Sequence, residues 1–334
     1  MTLFNSPLQV ANLTLPNRLV MPPMATAKSG DDGKVTRELC DYYEEKSRGG
    51  HIGLIITEHS FVSPEGKAGN GQLSISDDGD IPGLKTLVSV IHRNDTKVMA
   101  QINHAGGAAK REVTGCEAIS AGAVLPPRAA AGSPLPREMT AADIRRVTDD
   151  FARAAGRAKE AGFDGVEIHS AHGYLLNQFF SPLTNRRTDS YGASSLHGRI
   201  RFHLEVIGAV RSVVGTAYPL ALRLGACDYM EGGITMEDSV AAAIEFEKAG
   251  IDLLDISGGF CGYVRPGSKE QGYFSELTEA IKKSVSIPVI LTGGIVDREA
   301  AERLLEQNKA DLIGVGRAIF KDSSWAEKAM LAHD

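Results

Sequence analysis

Two histidines three residues apart, His169 and His172, are followed two positions later by Tyr174 in the run EIHSAHGY. Imidazoles at this spacing can face one small volume, and two kinds of chemistry use such a pair. As metal ligands they would need a carboxylate or thiolate to complete the set. No CxxC or similar spacing supplies one, because Cys40, Cys116, Cys227 and Cys261 stand far apart, so no metal is expected. As hydrogen-bond donors the pair would hold a carbonyl or phenolate oxygen, and the Tyr174 phenol would deliver a proton. A purely structural role for the two histidines stays open at this point.

Other polar residues fall where apolar runs end. Pro22, Pro23, Met24 and Ala25 follow NRLVM, Glu58 and His59 follow GLIIT, and Gln101 with His104 closes KVMAQIN. Arg223 ends LALR, and Gly258 with Gly259, further candidate cofactor contacts, follows LLDIS. The last two runs end in LTGGI, with Gly293 and Gly294, and in GVGRAIF, with Gly316 and Arg317. Glycines leave amide N–H groups open beside a helix start, and an arginine adds a bidentate donor, so these two ends read as a phosphate site. Tight turns are the plain alternative. GVGRAI carries only half of a dinucleotide fingerprint, GYVRPGSK lacks the order of a phosphate-binding loop, and no GxSxG or HExxH occurs.

The elements that must position these groups alternate. Eight β-branched apolar runs read as buried parallel strands: Leu19–Pro22, Gly53–Glu58, Lys97–Asn103, Gly165–His169, Leu220–Leu224, Leu253–Ser257, Val289–Thr292 and Leu312–Val315. Helical patterns separate them: Val35–Arg48, Gly83–Arg93, Ala141–Ala161, Leu196–Val214, Met236–Ala249, Glu276–Val285 and Arg298–Gln307, with a closing helix over Ser324–Ala332. Thr140 and Asp143 resemble a capping box, while Gly162 and Gly250 stand where helices stop. The count predicts an α/β fold, a (β/α)8 TIM barrel, over an open doubly wound sheet. Residues 1–334 are expected to form one barrel domain. A short hairpin over 8–15 would close its bottom, and a Gly/Ala/Pro-rich excursion over 106–137 would follow the third strand at the catalytic end.

With 36 basic and 42 acidic side chains the formal charge is −6, which gives no support to nucleic-acid or anionic-membrane binding. No run approaches the ~18 apolar residues of a membrane span, and the first residues lack a basic-then-apolar leader, so a cytoplasmic location is expected.

PNRLVMPPM, QINHAG, FDGVEIHSAHGYLLNQFFSPLTNRRTDSYG and ADLIGVGRAIF together resemble the Old Yellow Enzyme family of FMN-dependent ene-reductases, over about Phe4 to Phe320. The resemblance implies FMN held non-covalently, with its phosphate over the seventh and eighth strands at Gly293, Gly294, Gly316 and Arg317. It also implies Pro23, Met24 and Ala25 under the flavin ring, Gln101 on its pyrimidine edge and Arg223 beside N1. His169 and His172 match the pair that grips the substrate's electron-withdrawing oxygen, and Tyr174 matches the proton donor. The activity implied is ping-pong: NADH or NADPH reduces FMN, and an activated alkene, an enone or enal for example, is then reduced through flavin N5. A homo-oligomer is implied as well, with dimer and tetramer both open.

Departures stand out. Ala25 takes a place where relatives carry Cys or Thr, Ala27 one where shorter bacterial relatives carry Tyr, and His59 one that is commonly small, from which it is expected to contact flavin or ligand. GASSLHGRIRF holds one extra residue and puts His197–Gly198 where Glu–Asn is usual. The larger relatives add an iron–sulfur cluster and a dinucleotide domain, for which this chain has no cysteine run. An NADH oxidase or an amine-oxidising flavoenzyme is the neighbouring alternative, and a flavin-free phosphate-binding lyase or isomerase the remote one.

Overall fold

Alternation of apolar strands with capped helices sets the architecture. The computed structural model describes residues 2–332 apart from 128 and 131. Eight parallel strands form a closed barrel: β1 (Leu19–Met21), β2 (Leu54–Ile56), β3 (Lys97–Asn103), β4 (Gly165–Ser170), β5 (Leu220–Gly225), β6 (Leu253–Ser257), β7 (Val289–Thr292) and β8 (Leu312–Gly314). Each pairs with the next, and β8 pairs with β1 through Ile313 opposite Leu19. The TIM-barrel expectation holds.

Outside the strands run α1 (Arg37–Ser47), α2 (Ile81–His92), α3 (Ala141–Ala161), α4 (Leu196–Val214), α5 (Met236–Lys248), α6 (Ser275–Lys282), α7 (Arg298–Glu306) and α8 (Trp325–Leu331). Their ends follow local chemistry. Thr140 and Asp143 bond reciprocally at the start of α3, as do Thr235 and Asp238 at α5, and a left-handed Gly162 ends α3. Such caps contribute about 1 kcal/mol each. The altered GASSLHGRIRF block is helical from Leu196: Ser195 Oγ accepts from Gly198 N at 3.0 Å, and a Cβ at Gly198 would collide with the Gly192 carbonyl. The small residue at 198 therefore lets the preceding turn lie on the helix.

An antiparallel hairpin, Leu8–Val10 with Leu13–Leu15, lies at the amino-terminal mouth of the barrel. Its Val10, Leu13 and Leu15 pack with Val20, Leu54, Ile56, Met99, Ala221, Leu253, Ile290 and Leu312 as a dry cluster. That cluster is the floor of the barrel. Two residues further along β3, β5, β6 and β7 stand Gln101, Arg223, Asp255 and Thr292. The period of two sends these inward as well, so a polar layer rests on an apolar floor.

Three strands are shorter than their apolar runs, β8 by the single residue Val315. β1 stops at Met21, where Pro22 has no N–H to continue the ladder. β2 stops at Ile56, and pairing with β3 resumes at Ser60. Ile56 lies opposite Met99 and Ser60 opposite Ile102, so four steps on one strand match three on the other. This is a bulge of one residue, and it lifts Glu58 and His59 out of the ladder. Helix α6 also ends three residues before Val285.

Candidate active site

The carboxyl ends of the strands carry the polar residues. Register sets the first pairs: Gln101 lies opposite Glu167, and Arg223 lies between His169 on β4 and Asp255 on β6. All five side chains are buried. Gln101 Nε2 donates to Glu167 Oε1 at 2.7 Å, Arg223 Nε lies 3.1 Å from Asp255 Oδ2, and Thr292 Oγ1 donates to Asp255 Oδ1 at 3.4 Å. One guanidinium thus serves two buried carboxyls. Burial, and then the charge of Asp255, pushes the Glu167 carboxyl well above its ordinary range. Burial raises Asp255 as well, against the pull of Arg223.

Above this layer sits a cluster of rings. His169 lies 5.2 Å from His172 and 5.2 Å from Tyr174 between ring centroids, edge to face in both cases. His59 stacks on Tyr174 at 5.5 Å, with its Nε2 3.4 Å from the Tyr174 hydroxyl oxygen. His172 adopts a left-handed backbone, φ 58°, and its Nε2 bonds Ser257 Oγ at 2.8 Å. Burial and the cationic neighbourhood of Arg223 hold all three imidazoles neutral. His169 and His172 lie well below the usual value, and His59 is pushed down to about 4. Burial raises the Tyr174 phenol, so it is a protonated donor at neutral pH.

Several residues that the sequence did not single out hold this cluster. Asn177 Oδ1 accepts from Gly173 N at 2.7 Å. Gln178 Nε2 donates to the carbonyls of Gly173 and Ala105, while its Oε1 accepts from Gly107 N and Ser120 Oγ. One buried amide therefore ties the His172–Tyr174 turn to the excursion after β3. Within that excursion Ile119–Ser120 pairs with Arg137–Glu138. Glu58, freed by the bulge, accepts from both the backbone N–H and the hydroxyl of Thr26, and burial pushes its carboxyl up to about 7.

The remaining candidates fall into two groups. At the ends of β7 and β8, Gly293, Gly294 and Arg317 gather round Tyr273. Both glycines pack on its ring side, and Arg317 Nη2 donates to its hydroxyl at 3.5 Å. Gly316 packs on Met24 and Pro22, with Pro23 half-buried and Ala25 exposed beside them. At the end of β6, a Cβ at Gly258 would meet Cys261 and Gly262, and one at Gly259 would meet Asp228, so both positions need glycine. The Gly258 carbonyl also accepts from His172 N at 3.3 Å, which ties the His172 turn to β6. Among the described residues no group of three or more His, Cys, Asp or Glu side chains could hold a metal ion. A cavity of about 650 Å³ bounded by Asp41, Glu44, Glu45, His51 and Glu327 involves none of these residues.

Neutral donors beside a proton-bearing phenol, over a buried cation, can polarise a carbonyl and protonate the carbon next to it. Known proteins resemble this chain over nearly its whole length. The profile of the NADH:flavin oxidoreductase / NADH oxidase family matches residues 2–332. An NADH oxidase of Thermoanaerobacter brockii is 41% identical over 96% of this chain and 50% of its own length. The chain thus spans about half of that relative. An NADPH dehydrogenase of Geobacillus thermodenitrificans is 39% identical over 97% of this chain and 92% of its own. The solved structure of morphinone reductase superposes with a TM-score of 0.87 at 28% identity, covering 99% of this chain and 90% of that one. Matched along residues 2–332 by that family and by these relatives, the chain belongs to the NADH:flavin oxidoreductase / NADH oxidase family.

Proposed function

We propose that the protein is an FMN-dependent oxidoreductase that uses NADH or NADPH to reduce the C=C bond of activated alkenes. The observation that carries this reading is the convergence of His169, His172 and Tyr174, with centroids 5.2 Å apart, beside Arg223 at the carboxyl end of the barrel.

The residues fit an FMN. Buried polar atoms without a hydrogen-bond partner stand at the inner ends of β3, β4 and β5: both amide atoms of Asn103, His169 Nδ1 and Arg223 Nε. Arg317 is exposed, and no carboxylate pairs with it among the described residues, which suits an anion over β7 and β8. Gly293, Gly294, Gly316 and Arg317 would hold the phosphate, and Pro22, Pro23, Met24 and Ala25 would line one ring face. Gln101, whose Nε2 is engaged by Glu167, keeps its carbonyl oxygen for a ligand N–H. Bound FMN would supply hydride to the alkene's β-carbon after accepting it from the reduced nicotinamide.

The chain supplies the rest. His169 and His172 donate to the substrate's carbonyl oxygen and draw electron density from the double bond, as fixed donors that need no reorganisation. Tyr174 gives its phenolic proton to the α-carbon. Arg223 would place a buried positive charge beside the bound flavin. The His172–Ser257 bond holds one imidazole at a fixed angle. No helix among the described residues is long and apolar enough to cross a membrane, and a cytoplasmic homo-oligomer, dimer or tetramer, belongs to the same proposal. Anaerobic reduction with NADH or NADPH followed by cyclohexenone tests the reading. Reoxidation by oxygen alone would favour the oxidase activity for which the Thermoanaerobacter relative is named.

A further inference from the structure

We propose that His59 is a positioning residue for proton delivery: its Nε2–H donates to the Tyr174 hydroxyl oxygen and aims the phenolic proton at the substrate. The inference rests on the reading of Tyr174 as proton donor. Four observations carry it. His59 Nε2 lies 3.4 Å from Tyr174 Oη, the only side-chain hydrogen bond of that hydroxyl among the described residues. The two rings are stacked, 25° from parallel, so the imidazole edge and the phenol oxygen stay in register. The bulge between Ile56 and Ser60 places His59 at the mouth. The backbone around it is pinned, with Glu58 N donating to Tyr43 Oη at 2.7 Å and Gln72 Nε2 donating to the His59 carbonyl at 3.1 Å.

The charged and titratable groups facing His59 are Arg223, His169, His172 and Tyr174, and the cation among them keeps the imidazole neutral. A neutral imidazole carries one N–H. Placed on Nε2, that proton occupies a lone pair of the Tyr174 oxygen and leaves the phenol's own hydrogen to point elsewhere, into the site. When the Tyr174 O–H bond breaks and the α-carbon gains the proton, the phenolate left behind keeps the Nε2–H bond until water returns a proton. A hydrogen bond to the charged form favours ionisation, so His59 eases the transfer without touching substrate.

Three variants of the full chain test this: His59→Phe, which keeps a ring but no donor, His59→Gln, which keeps a donor, and Tyr174→Phe. One readout is the NMR titration of 13Cζ-labelled tyrosine, with Tyr174 assigned by its loss in Tyr174→Phe. The second is the rate of flavin reoxidation by cyclohexenone. The expected result is that His59→Phe moves Tyr174 ionisation up by about one pH unit and slows reoxidation about tenfold, with partial recovery in His59→Gln. The double variant His59→Phe/Tyr174→Phe should be no slower than Tyr174→Phe. An unmoved Tyr174 titration in His59→Phe, or additive losses in the double variant, would overturn the role of His59. Full-speed reoxidation in Tyr174→Phe would instead overturn Tyr174 as donor, and with it the reading beneath.

Discussion

Arg223 Nε lies 3.1 Å from Asp255 Oδ2 on the neighbouring strand, off the N–H line, so opposite charge rather than a hydrogen bond joins two buried groups. Removing one partner leaves the other charge buried without compensation, a loss of about 3–5 kcal/mol. Arg223→Met should therefore lower unfolding stability by that order in chemical denaturation. Adding Asp255→Asn should recover much of it. Equal losses in the single and double variants would show that the pair does not carry the stability.

Glu58 makes stability depend on pH. Its carboxyl titrates near 7 in the folded chain against about 4.5 when exposed, because burial opposes the charge. The group is raised on folding, so its favourable contribution is complete below about pH 4.5 and is lost as pH climbs through 7. Roughly 2–4 kcal/mol should disappear over that window. Urea unfolding of the native chain and of Glu58→Gln at pH 5, 6, 7 and 8 checks the sign. The variant should lack this part of the decline.

The histidine pair is predicted to act uncharged. Burial holds His169 and His172 well below the usual imidazole value, so their 15N resonances should not titrate between about pH 6 and 8. Replacing either with Ala should lower kcat/KM for an enone about 100-fold, the order expected for one oxyanion donor. A titration near 6.5 in the native chain would mean that the pair works as a cation.

Arg317 has its hydroxyl contact to Tyr273 at 3.5 Å and otherwise faces solvent. Arg317→Ala should leave the unfolding midpoint within experimental error. It should weaken FMN binding at least tenfold in a fluorescence titration, the scale of one charge-assisted contact. Riboflavin, which has no phosphate, should bind both forms equally.

The strands that the sequence placed best are those with apolar runs sealed by turn residues. Lys97–Asn103, Leu253–Ser257 and Val289–Thr292 appear with the expected bounds, as do the helices Ala141–Ala161 and Leu196–Val214. Gly53–Glu58 came out short because a bulge is a mismatch between two strands, invisible in either one alone. The same bulge brings His59 to Tyr174, 115 positions away, and no local pattern announces that contact. Asn177 and Gln178 sat inside a motif already quoted, yet their anchoring role depends on the excursion folding back onto them. At Gly258 and Gly259 a Cβ would meet Cys261, Gly262 and Asp228, close approaches that exist only once the loops after β5 and β6 have folded together. The positive φ of His172 is one that histidine adopts more often than most residues do, but nothing in the local pattern singles that position out.

The most direct test of the central claim is one anaerobic cuvette. The purified protein, loaded with FMN, is reduced with NADH or NADPH and then given cyclohexenone. Bleaching of the flavin band near ~450 nm, followed by its return with formation of cyclohexanone, is the predicted result. A band that bleaches and stays bleached until oxygen is admitted, whichever activated alkene is offered, would contradict alkene reduction by this site.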